Sequence, residues 1–239
     1  MKKSLKYISF CALLLACALT GSHAFLAMEA TLRSASTDAL LPEHPVIILD
    51  AGHGGEDCGA IGSNGALEKE LNLSLSEDLT ALLRGAGFTV IQTRTDDSAL
   101  YDPTQGTKHK KQRDLSARLE IAKQHPDAIF VSIHMNTFPN DTCRGTQIWY
   151  SPNDPRSVLL AQGAQDTVKE LLQPQNNRKV KQATSGIYLL RHITIPAILV
   201  ECGFLSTPEE CALLCTEEYQ KELALALFAA ISENLLADT

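Results

Sequence analysis

Val46-Ile47-Ile48-Leu49-Asp50-Ala51-Gly52-His53-Gly54-Gly55 joins a short apolar run to a glycine-rich turn that carries a histidine. Four consecutive apolar residues, 46–49, suit a strand buried on both faces, as in parallel sheets covered by helices. The same pattern recurs along the chain. Residues 88–92, 128–133 and 197–200 read as further strands, 145–150 alternates as an edge or half-buried strand does, and 187–190 reads as one more short strand. Between them, 68–84 places leucines at 71, 75, 79, 82 and 83, a helical stripe ended by Gly85 and Gly87. Residues 114–123, 157–172 and 217–236 are the other helices. Strands alternating with helices predict an α/β fold with a mostly parallel sheet covered on both faces.

The chain has 239 residues, enough for one large domain or two small ones and for one sizeable core. It is 44% hydrophobic and 21% charged, which excludes a disordered, collagenous or polytopic membrane protein. Its formal net charge of −7 argues against nucleic acid as the main partner, since phosphate binding needs a basic face. Residues 1–27 read as an export signal: Lys2, Lys3 and Lys6 precede an apolar run at 8–19, and Ser22-His23-Ala24 offers a small-residue cleavage site. Left uncleaved, 8–27 is about long enough for a membrane anchor, and Leu14-Leu15-Ala16-Cys17 loosely resembles a lipoprotein processing site. Residues 28–45 form a linker. The five cysteines beyond the leader are odd in number and lack C-x-x-C spacing, so neither a disulfide framework nor a cysteine zinc finger is expected. The one long irregular stretch, 96–113, carries Lys108, Lys110, Lys111 and Arg113. It reads either as a solvated loop or as a loop lying over an anionic or glycan-containing substrate.

Four ionisable residues stand where burial should forbid them. His53 follows the first strand, His134 ends the third and Glu201 ends the last, so all three should gather where open α/β sheets bind ligands, at the carboxyl ends of the strands. Glu68 opens the first long helix on the face of Leu71 and Leu75, where a carboxylate costs several kcal/mol unless paired or metal-bound. Two imidazoles and one carboxylate, His53, His134 and Glu68, make the donor set of a catalytic zinc site, leaving Glu201 as general base or acid. Each residue also has a structural reading: a turn histidine, a helix-dipole or capping glutamate, a half-solvated strand-end glutamate. From spacing and burial alone the metal hydrolase and these structural roles stand side by side.

The segments Asp50-Ala51-Gly52-His53-Gly54-Gly55, Leu67-Glu68-Lys69-Glu70, Ser132-Ile133-His134-Met135-Asn136 and Val200-Glu201-Cys202-Gly203-Phe204-Leu205-Ser206 resemble the signatures of zinc-dependent N-acetylmuramoyl-L-alanine amidases of the type-3 family. The similarity runs from about Val46 to Leu236, with the motifs in the family's order. It implies a three-layer αβα fold with a doubly wound sheet in a single catalytic domain, 46–239. It further implies zinc on His53, Glu68 and His134, catalysis by Glu201, and peptidoglycan as substrate, cut between N-acetylmuramic acid and the L-alanine of the stem. The small size, the leader, the Lys-rich loop and Ile187-Tyr188-Leu189-Leu190-Arg191-His192 resemble the germination-specific, CwlD-type spore-cortex amidases. Arg94 and Asn136 match positions near the family's site, as substrate contacts or structural residues; Arg118 matches a third such position, and His192 is a candidate on the approach to the cleft. The family also implies an exported, extracytoplasmic protein. The sequence names no protein activator.

Two other classes compete. A non-catalytic wall-binding or activator protein on the same fold would be expected to lack Glu201 or a ligand, and none is missing. A cysteine hydrolase using Cys202 with His134 is disfavoured because the thiol neighbours a carboxylate, which opposes thiolate formation.

Overall fold

The computed structural model describes residues 45–102, 104 and 108–236. The expected export signal or anchor, and the linker up to residue 44, lie outside the described residues. Chain order is β1 (Ile47–Ala51), α1 (Glu68–Gly85), β2 (Val90–Gln92), α2 (Lys110–Gln124), β3 (Ile129–Asn136), β4 (Gln147–Tyr150), α3 (Arg156–Leu171), β5 (Lys181–Gln182), α4 (Tyr188–His192), β6 (Ala197–Phe204), α5 (Pro208–Leu214) and α6 (Glu217–Leu236). The six strands form one sheet in the order β2-β1-β3-β6-β4-β5. β2, β1, β3 and β6 are parallel, β4 is antiparallel to β6, and β5 is parallel to β4. The sheet is therefore mostly parallel, as expected.

Side-chain alternation along the strands produces two apolar layers. Ile47, Leu49, Val131, Ile133, Ile198 and Val200 pack with the leucine stripe of α1 and the inner faces of α3 and α6. Ile48, Phe130, Ala197 and Leu199 pack with Leu119 and Ala122 of α2 and with Leu189 and Leu190 of α4. Helices thus cover both faces, giving three αβα layers.

Several boundaries differ from the sequence reading. Residues 187–190 do not form a strand: α4 occupies Tyr188–His192 and buries Leu189 and Leu190 over the sheet. A four-residue apolar run fits a buried helical turn as well as a strand, and periodicity cannot separate the two. β3 continues to Asn136 and β6 to Phe204, so His134 and Glu201 lie inside strands, not at their ends. They are directly paired, His134 against Glu201, with a register shift between His134 and Asn136. α2 starts at Lys110 rather than 114. The unforeseen two-residue β5 lies beyond β4, so β4 is not the sheet edge.

One buried ion pair fixes the C-terminal end of β1. Asp50 and Arg118 are 1% and 2% exposed and hydrogen-bonded to each other. Asp50 also accepts from Thr93 Oγ1 at 2.7 Å and Ser132 Oγ at 2.6 Å. Arg118 donates onward to Asp114 Oδ2 at 2.7 Å and to the carbonyls of Ala51 and His53 at 2.9 and 2.8 Å. Burial alone would raise the Asp50 pKa, but Arg118 and the two hydroxyls outweigh it and hold the carboxyl below its ordinary range. Because the folded pKa is depressed, this stabilisation is complete above the unfolded Asp value of about 3.9 and is lost as pH falls through the lower folded value. Arg118→Met should lower the unfolding free energy at pH 7 by about 3–5 kcal/mol, read from urea titration, because it leaves Asp50 charged and buried. A loss under about 1 kcal/mol, the level of an exposed pair, would contradict the role.

Candidate metal centre

The turn after β1 sets the position of His53, the first of the expected ligands. His53 has φ +63°, and Gly54, Gly55 and Gly59 also have positive φ. A positive φ at a non-glycine residue is uncommon and is held here by the surrounding bonds. Gly54 and Asp57 exchange backbone hydrogen bonds at 3.0 and 3.2 Å, and Arg118 grips the His53 carbonyl. The turn closes so that Asp57 Oδ2 lies 3.0 Å from His53 Nδ1, which leaves Nε2 facing Glu68 Oε1 at 3.1 Å. Glu68 starts α1, and its N–H donates to the Ala60 carbonyl at 3.0 Å. Its Oε2 accepts from Ala60 N at 2.7 Å, and its Oε1 accepts from Met135 N at 3.1 Å. His134 comes in from β3 with Nδ1 2.9 Å from Glu68 Oε1. The two imidazoles meet edge to face, 4.9 Å between centroids.

One ligand atom from each of His53, Glu68 and His134 can be chosen so that all lie within 4.8 Å of one another. Two tetrahedral ligands at about 2.0–2.1 Å from a zinc ion lie about 3.3 Å apart, close to the observed 2.9 and 3.1 Å. The glycines confirm that space is reserved for these rings: a Cβ on Gly52 would fall 2.3 Å from the His134 ring, and one on Gly59 would fall 2.5 Å from Glu68 Oε2 and 2.8 Å from His53 Cδ2. The donor set fits zinc, and the two carboxylate–imidazole separations match its ligand spacing.

Electrostatics sharpen the picture. Burial works against a charged His53, but Asp57 and Glu68 outweigh it and raise its pKa to about 9. Asp57, hydrogen-bonded to His53, is lowered to about 2. Burial would raise Glu68, yet the two histidines hold it well below the carboxylate range. Glu201 is the opposite case. Burial, and then the charge of Glu68, push it up to about 8, and its buried Oε2 has no hydrogen-bond partner. Glu201 borders a cavity of about 200 Å³, which His53, His134, Lys111, Leu115 and Tyr188 also help line.

The other sequence candidates fall elsewhere. Arg94 is buried, and its guanidinium donates to the carbonyls of Ala51, Gly52, Lys69 and Asp96 at 2.7–2.9 Å, tying the turn after β1 to α1. Asn136 ends β3, its carbonyl accepting from Leu205 N at 2.8 Å. His192 is exposed and stacked on Tyr188, 4.0 Å between centroids. Cys202 points into the α1–α6 core layer; burial, then the Glu201 and Glu68 charges, push its thiol well up, which removes it as a nucleophile. The sequence reading missed Asp57 and Asn72. Asn72 is fully buried and bonds the Gly52 carbonyl at 3.2 Å and Glu68 Oε1 at 3.4 Å. Its signal was available: Asn72 lies one helical turn after Glu68, on the same face.

Residues 47–233 match the family model described as N-acetylmuramoyl-L-alanine amidase. The germination-specific N-acetylmuramoyl-L-alanine amidase of Bacillus subtilis is 34% identical over 187 residues, 78% of either chain. The CwlD amidase of Clostridioides difficile, solved in complex with the GerS lipoprotein, is 40% identical with a TM-score of 0.77, covering 81% of this chain and all of that one. The amidase AmiC2 of Nostoc punctiforme is 29% identical with a TM-score of 0.69, covering 80% of this chain and 97% of that one.

Two substitutions probe whether the cluster holds zinc without touching His53, Glu68 or His134. Asp57→Ala should weaken zinc affinity about 10- to 100-fold, as loss of a histidine's outer hydrogen-bond partner does. Gly52→Ala should weaken it at least as much, since the methyl group overlaps the His134 ring. Both are checked by competition with a chromogenic chelator, and wild-type affinity in either would contradict the assigned support.

Proposed function

The chain belongs to the N-acetylmuramoyl-L-alanine amidase family, and from that premise we propose a zinc-dependent hydrolase of spore-cortex peptidoglycan, cutting between the lactyl group of N-acetylmuramic acid and the stem L-alanine. That it is an amidase acting on peptidoglycan follows from its relatives. The observation that carries the zinc reading is the meeting of His53, Glu68 and His134 around one point. These three would hold the ion, and Asp57 and Asn72 would fix the orientation of His53 and Glu68. Zinc, when bound, polarises an amide carbonyl and lowers the pKa of water. Glu201 Oε2, buried and without a partner beside this cluster, is the proton carrier. It takes a proton from the attacking water and returns it to the alanine nitrogen as the C–N bond breaks, giving a lactyl carboxylate and a free amine. A single carboxyl group that accepts and then returns the proton serves as general base and general acid in turn.

The cortex role rests on the likeness to the germination-specific and CwlD amidases. Export, with or without retention of residues 8–27 as an anchor, rests on the basic and apolar leader. Among the described residues no helix is long and apolar enough to cross a membrane. The complex of the related CwlD with a lipoprotein supports an accessory protein partner for this chain as well.

Mass spectrometry of muropeptides after incubation with the zinc-loaded protein should show free stem peptides with an L-alanine N-terminus, lost with EDTA and restored by zinc. Glu201→Gln should keep full zinc content and lower kcat at least about 100-fold, the scale of general acid–base catalysis. His53→Ala or Glu68→Ala should lose zinc. Wild-type turnover in Glu201→Gln, or full zinc content in either ligand variant, would contradict the assignment.

A further inference from the structure

The amidase reading leaves open how the site admits a substrate bearing several carboxylates when its own walls are acidic. Asp50, Asp57, Asp114 and Glu201 all line the cavity at the metal centre. Arg118 is there too, but it is buried and committed to Asp50, Asp114 and two backbone carbonyls. The remaining lysine or arginine of the lining is Lys111, in the first turn of α2. It is exposed and, among the described residues, within 4.0 Å of no carboxylate, although its charge helps lower the Asp57 pKa. Its neighbour Lys110 is engaged, 2.5 Å from Glu56 and over the Tyr101 ring. Two acids that line the same cavities as Lys111 have partners already: Asp57 holds His53 Nδ1 and Gly59 N, and Asp114 holds Arg118 Nε and Leu100 N.

Lys111 also lies where cavities meet. With Leu115 and Tyr188 it is shared between the metal-centre cavity and a second one of about 490 Å³ along the start of α2. With Asp57 and Asp114 it is shared with a third, of about 240 Å³, under Tyr101.

We propose that Lys111 is a specificity-determining residue that binds the free α-carboxylate of the residue following the scissile L-alanine, so that the enzyme prefers stems in which this group is ionised over stems in which it is amidated. The proposal rests on the amidase reading. In peptidoglycan stems that second residue is an acidic D-amino acid joined through its side-chain carboxyl, which leaves the α-carboxylate free. One Cα–Cα step of about 3.8 Å separates it from the alanine, so a bond held at the cluster places the anion within the cavity that Lys111 borders. A flexible point charge suits a single carboxylate presented at a cavity mouth.

The test uses equilibrium binding by fluorescence anisotropy in a Glu201→Gln, zinc-loaded background. The probes are a labelled N-lactyl stem tetrapeptide and the same peptide with its second-residue α-carboxylate amidated. The acidic peptide should bind about fivefold more tightly, as one partly exposed charge pair allows, and the difference should shrink at high salt. Lys111→Ala should erase the difference by weakening the acidic peptide alone, and Lys111→Arg should retain it. Equal binding of the two peptides, an equal loss on both, or no binding of either at millimolar concentration would overturn the proposal. The amidase reading is judged separately, by release of stems by the wild-type protein. Stem release without charge discrimination would sink only the role of Lys111; discrimination without release would sink the amidase reading and with it the enzymatic preference, leaving Lys111 as a binding contact alone.

Discussion

A single carboxylate oxygen, Glu68 Oε1, lies within 3.1 Å of both imidazoles and of the Met135 N–H, and the carboxyl edge of the sheet is organised around it. The oxygen belongs to α1, on one side of the sheet. The cavity it serves is walled by Leu115 of α2 and by α4, on the other side. A carboxylate this deeply buried is tolerated only when its partners compensate the lost hydration. Every neighbouring feature supplies that compensation: the strained turn that presents His53, the two glycines that leave room for the rings, and the extension of β3 that carries His134.

Behind this cluster stands a second set of charges, Asp50, Arg118 and Asp114, which does no chemistry of its own. Arg118 crosses from α2 to hold the carbonyls of Ala51 and His53, while Arg94 takes those of Ala51 and Gly52. Two buried guanidiniums thus set the backbone from which His53 projects. This separation of duties explains why a fold shared with many other enzymes carries this chemistry: the sheet provides an edge, and a few polar residues turn that edge into a site.

Much of this was legible in the sequence. The continuous apolar runs of β1, β3 and β6 identify a covered parallel sheet because only strands buried on both faces lack polar alternation. The histidines and glutamates stand out against those runs for the same reason. What escaped is non-local. Arg118 is marked in the sequence by the family resemblance alone, and nothing local shows that it pairs with Asp50, 68 positions away. Asp57 sits in an aperiodic turn, where no pattern marks it. Residues 187–190 are too short for periodicity to choose between strand and helix, and the docking surface over Phe130 and Leu199 decided it.

The two ends of the sheet are unequal in exposure but alike in brevity. β2 has three residues, and β5 has two exposed ones, with Lys181 Nζ lying 5.2 Å over the Trp149 ring. Borders this short, one of them guarded by a cation, offer no template on which another polypeptide could extend the hydrogen-bonded ladder. Among the described residues both borders of the sheet thus disfavour strand addition, which turns a companion protein toward helices or loops.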